Sequence, residues 1–99
     1  MGYDYQAKLS KPLTAEQSEA FIEAVTRDSR WVVVSRSTTS LQLRDASKPV
    51  NPRWPVDAQL EIQPDRIYVL FHGGPHGVGV IAQHANGPGL NLGLTFEDL

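Results

Sequence analysis

Cysteine is absent from the 99 residues. That excludes disulfide staples, a thiolate nucleophile and sulfur-ligated zinc. Charge is missing in a more local way. Between Arg66 and Glu97 there is no Asp, Glu, Lys or Arg, and every basic residue lies at or before Arg66. Ionised side chains are almost never fully buried unpaired, so a stretch without them is expected in a core or under a partner. Long hydrophobic runs are missing too. The longest clean run in that stretch is Ile67 to Phe71, against ~20 apolar residues for a membrane span. The opening MGYDYQAKLS lacks the basic-then-apolar order of a secretory leader, and Gln6 stands where acylation of Gly2 wants Ser or Thr. The expectation is a cytoplasmic protein.

The balance of charge, −2 with pI near 5.8, carries no basic footprint for nucleic acid and no strong acidity that would mimic it. A chain of this length makes one domain, residues 1–99, with a single modest core. There is no internal repeat and no low-complexity linker.

What is present reads as a series of short elements. Tyr3, Tyr5, Ala7 and Leu9 alternate with Asp4, Gln6 and Lys8, the period of a half-buried strand. Thr14-Ala15-Glu16-Gln17 fits a capping box, and the helix it opens is predicted from Ala15 to Arg27, with Ala20, Phe21, Ala24 and Val25 as its apolar stripe. Glu16, Glu19 and Glu23 in its first half and Arg27 at its end complement the helix dipole. Trp31 to Val34 and Ser37 to Arg44 read as a hairpin, and 45–52 (DASKPVNP) as a loop. Trp54, Val56, Ala58, Leu60 and Ile62 alternate with polar residues and predict a strand whose apolar set points inward. Pro64 presets a turn into Ile67 to His72, apolar on both faces. Further turns at 72–77 and 86–89 would bracket a strand over Val78 to Ala85, and Leu90 to Phe96 alternates as a last strand.

The predicted order is β-α-β-β-β-β-β. The fold class is α+β: a single helix packed on a mainly antiparallel, strongly curved sheet of about six or seven strands. One helix cannot cover both faces of such a sheet, so the second face should curl in or meet another chain.

No pattern identifies a chemistry. Phe71-His72-Gly73-Gly74 resembles the His-Gly-Gly oxyanion loop of the α/β-hydrolase lipases and esterases, but the Gly-x-Ser-x-Gly nucleophile elbow is missing. A glycine-rich turn accounts for it. His72 and His76 alone leave a metal short of ligands, and no carboxylate lies near them in sequence. No catalytic residue, metal site or cofactor is therefore assigned. Arg36, Arg44, Lys48, Arg53 and Arg66 with Trp31 and Trp54 read as a solvated rim, because Asp45, Asp57 and Asp65 lie among them.

The leading expectation is a small non-catalytic protein-binding domain, an inhibitor or immunity-type protein. In size and architecture the chain is similar to the bacterial immunity proteins that neutralise a cognate toxin: small, cysteine-free α+β domains without a catalytic motif. The partner would be another protein, such as a toxin, with no membrane and no nucleic acid. The expected contacts are Lys48, Arg53, Trp54, Asp57, Glu61, His72 and His76. One alternative is a homo-oligomeric structural or accessory subunit, a homodimer joined through the charge-free last third. The other is a small enzyme using His72 or His76.

Overall fold

A computed structural model of the chain describes residues 3–49, 52, 53, 55–72 and 77–99. In chain order the elements are β1 (Tyr3–Lys8), α1 (Ala15–Arg27), β2 (Trp31–Arg36), β3 (Ser40–Asp45), β4 (Ala58–Ile62), β5 (Arg66–Phe71), α2 (Gly77–Asn86) and β6 (Glu97–Asp98). The class is α+β, as the sequence indicates. The six strands form one open antiparallel sheet in the order β2-β3-β4-β5-β1-β6.

α1 forms where the sequence places it, and for the expected reason. The Thr14 hydroxyl accepts the Gln17 N–H at 3.0 Å, and Gln17 Oε1 accepts the Thr14 N–H at 2.9 Å. The buried stripe is Ser18, Phe21, Ile22 and Val25, whereas Ala20 is exposed. The apolar face is thus rotated from the alanine-based one by about one residue. Burial of Phe21, Ile22 and Val25 contributes about 1.5–3 kcal/mol each. Facing them are Leu41 and Leu43 of β3, Ala58 and Leu60 of β4, and Ile67, Val69 and Phe71 of β5. Ala58 and Leu60 point inward as their alternation requires, and Ile62 is half-buried. β4 is shorter than the run suggests: Pro55, Val56 and Asp57 precede it outside any strand, and Trp54 lies outside the described residues.

Two expectations fail in the charge-free third. Residues 78–85 are not a strand but most of a second helix, α2, so the sheet is covered by two helices rather than one. Ile81 and Ala85, four residues apart and fully buried, define its inner face. Gly77 opens α2 directly against Phe71, where a Cβ would overlap the aromatic ring. The expected last strand is also absent: 90–96 is an irregular covering segment, and only Glu97–Asp98 pairs, with Gln6 and Tyr5 of β1. Left-handed backbone at Asn91 (φ 50°) and Gly93 (φ 65°) interrupts extension at two positions. Leu90, Leu92, Leu94 and Phe96 still turn onto the core. Asn86 fixes the segment, its side chain accepting the Leu94 N–H at 2.6 Å and donating to the Leu94 carbonyl at 2.8 Å.

Both helices and this segment contribute to the same core as the inward sheet residues. The other face carries Asp4, Gln6, Gln42, Arg44, Gln59, Glu61, Arg66 and Tyr68 by strand alternation. Contacts across it confirm the register: Tyr68 Oη donates to Asp4 Oδ2 at 2.8 Å and Arg66 Nη1 to Gln6 Oε1 at 3.1 Å. Among the described residues, no helix is long and apolar enough to cross a membrane.

Candidate protein-binding edge

The sheet has two edges of different character. β6 is two charged residues long. β2 is six residues long, WVVVSR, and among the described residues no strand lies against its outer side. Val32, Val33 and Val34 are 38%, 38% and 44% exposed, three consecutive β-branched residues on an edge. An edge of this kind is a template for strand addition; a bulge can blunt it, as can charge or proline. β2 has neither between Trp31 and Ser35. It does carry a bulge, with Val34 as the extra residue between the Val33–Leu43 and Ser35–Gln42 pairs.

The hydrogen bonds of β3 fix which way the β2 backbone points. The Leu43 carbonyl accepts the Asp57 N–H and the Thr39 carbonyl accepts the Ile62 N–H, both on the β4 side. Alternation then makes Leu43 and Leu41 non-bonded partners of β2. Their opposite numbers, Val33 and Arg36, direct N–H and C=O outward from the sheet. Beside the far end of the strand, a groove of about 710 Å³ opens between α1 and the β2–β3 turn, walled by Leu13, Ser18, Glu19, Ile22 and Arg36. Arg36 crosses to α1, pairing with Glu23 at 3.1 Å.

The near end of β2 is tied down by a buried carboxylate. Asp28, just past α1, has a side chain only 6% exposed. Arg30 grips it with Nε at 2.9 and 3.1 Å and Nη2 at 2.6 Å, and the Arg30 backbone N–H adds a bond at 2.9 Å. His84 of α2 brings Nε2 to Asp28 Oδ2 at 2.7 Å, as donor, because an ionised carboxylate only accepts. The Arg30 side-chain bonds foremost, then its backbone N–H and the His84 bond, outweigh burial and hold the Asp28 carboxyl well below the ordinary range. The arrangement joins α1, β2 and α2. An Asp–His pair can serve general-base chemistry, but here the carboxylate is occupied by a guanidinium fork.

The residues expected from sequence divide. Lys48 and Arg53 are exposed in the β3–β4 connection, and Asp57 and His72 lie at the same end of the sheet. Asp57 is half-buried and structural: its Oδ2 accepts the Asp45 N–H at 2.7 Å, and its carbonyl accepts the His72 N–H at 2.8 Å. Glu61 is exposed on the open face toward the opposite end of β4, where Gln63 Nε2 donates to it at 3.3 Å. Trp54 and His76 lie outside the described residues. Among the described residues no three His, Cys, Asp or Glu side chains converge as a metal site.

The exposed valines, and the Asp28–Arg30–His84 joint, were not among the residues singled out from sequence. An uncharged β-branched run bracketed by Arg30 and Arg36 is the signal for the first. Nothing local signals the second, because His84 is 56 residues from Asp28. Comparison with protein families, curated proteins and solved structures gives no match.

Proposed function

We propose that this chain is a non-catalytic protein-binding domain that takes its partner along the outer edge of β2. The observation that carries the reading is the run Val32–Val34, exposed on an edge whose Val33 and Arg36 backbone groups point outward. Strand addition gets affinity from such main-chain groups and specificity from the side chains between them. An inhibitor or immunity-type role is compatible with this surface, since an added strand lays the body of the domain across its partner. The lack of cysteine supports a cytoplasmic setting. The apolar side chains that suggested an interface in the last third are partly buried against the chain's own core, whereas the β2 valines have no such cover among the described residues.

The test compares capture from cells of the source organism by the wild-type chain, by Val32→Lys and by Lys48→Ala. The expected result is a protein retained by the wild type and Lys48→Ala and lost from Val32→Lys. A partner held equally by Val32→Lys but released by Lys48→Ala would move the interface to the β3–β4 end of the sheet and refute the edge.

A further inference from the structure

We infer that the strand that pairs with β2 is the β2 of a second copy of this chain, running antiparallel about a two-fold axis centred on Val33. This rests on the edge being the binding surface and names its occupant. Three observations select a second copy.

The first is backbone matching. Val33 and Arg36 direct both groups outward, and alternation turns the Trp31 carbonyl outward as well, its N–H being bonded to the Asp28 carbonyl. Centred on Val33, an antiparallel copy brings Val33 opposite Val33 and Trp31 opposite Arg36. The extra residue at Val34 is what shifts the second pair into register. Without the bulge Ser35 would hold that outward position instead, since strict alternation from Val33 would turn it outward. With the bulge, Trp31, Val33 and Arg36 form an outward set that matches itself about Val33.

The second is side-chain chemistry. The valines meet valines. Trp31 and Arg36 both lie on the helix side, where Trp31 packs on Phe71 and Arg36 reaches Glu23. The two-fold places the guanidinium of one copy near the indole of the other, a favourable cation–aromatic pairing. It also keeps the two Arg36 side chains roughly 13–14 Å apart along the strands, whereas a parallel alignment in register would set them side by side.

The third is charge on the flanking helix. α1 carries exposed Glu16 and Glu19 toward its start and exposed Arg27 at its end, where Arg27 shares Glu23 with Arg36 of its own chain. The same two-fold runs one α1 antiparallel to the other, so the acidic half of each faces the basic end of its mate. An isologous contact repeats each of these pairings twice. The paired strands are only six residues long, short of the extended surfaces that give the ~800 Å² per partner of standard stable interfaces, so the dimer should dissociate at micromolar concentration.

The experiment is sedimentation velocity over a concentration series, with hydrogen exchange read at the Val33 amide. The wild-type mass should rise from monomer toward dimer, and the Val33 amide should exchange more slowly as it does. Val33→Pro removes an N–H that faces away from β3, where an edge strand tolerates proline, and should remain monomeric. Val32→Lys should weaken the dimer by about tenfold or more, and it carries the comparison if the proline variant does not fold. A monomer at every concentration, with Val33 exchange unchanged, overturns the inference. So does a dimer that both variants form as readily as the wild type. A monomeric wild type that still loses a captured foreign protein on Val32→Lys would overturn the second copy and leave the edge as the binding surface. Loss of nothing by that variant would remove both.

Discussion

Replacing Asp28 by Ala tests whether the joint between α1, β2 and α2 holds the architecture. The carboxylate side chain is 6% exposed and accepts from the Arg30 fork, the Arg30 N–H and His84 Nε2. Hydrogen bonds to a charged group contribute about 1.5–3 kcal/mol. The four donors do not add in full, because Arg30 is 56% exposed and returns to water when released. His84 is 23% exposed and regains water less completely. A net loss of about 2–3 kcal/mol follows, or a drop in melting temperature on the order of 10 °C for a domain of this size. Asp28→Asn keeps the shape and one acceptor for Arg30, so it should lose less, about 1–2 kcal/mol. The pH dependence has a fixed sign. The folded carboxyl lies below its unfolded value, so its contribution is fully present above about pH 4 and is lost as pH falls through the folded value. The gap between wild type and Asp28→Asn should be fully present at about pH 5 and narrow progressively below about pH 4. Urea melts across that range measure it. An Asp28→Ala melt at pH 7 within about 0.5 kcal/mol of wild type would refute the reasoning, as would a gap that widens on acidification.

Thr14→Ala should destabilise the chain by about 1 kcal/mol in a thermal melt through loss of the capping box, with Thr14→Ser close to silent. Leu60→Ala, at a position 1% exposed, should remove about 2–5 kcal/mol, whereas Gln59→Ala on the open face should change a urea midpoint little. Asn86→Ala breaks both bonds to Leu94 and should speed amide exchange at Leu94, while exchange in β3–β5 stays slow.

Where the sequence can be read locally, it agrees with the structure. α1 is legible because a capping box and a helical stripe are contained within about a dozen residues and need no distant partner. β3 and β4 are legible because they bury one face, and strand alternation records which; β5 is legible as a strand from its apolar run, but its sequence is apolar on both faces and only the structure shows Ile67, Val69 and Phe71 as the buried one. The charge-free third is different. Val78 and Val80 favour a strand in isolation, and two glycines weaken the helix they begin. Only Ile81 and Ala85, buried against the sheet, decide for helix, and the sheet is made elsewhere in the chain. Leu90 to Phe96 alternates as a strand does, because any extended segment lying along a core shows one side to it. Asn91 and Gly93 take left-handed backbone, and the clamp from Asn86 sets the path.

The same division holds for the candidate surface. Sequence alone determined that Trp31 to Val34 is a strand, since β-branched side chains suit a pleated backbone. It did not determine that this strand is an edge. That depends on strand order: β1 pairs with β5 and β6, leaving β2 at the far end of the sheet after a crossover through α1. Pairing between distant segments is set by the summed burial of the whole core, not by any run of neighbours, and only the tertiary structure decided which hydrogen-bonding edge would be left open.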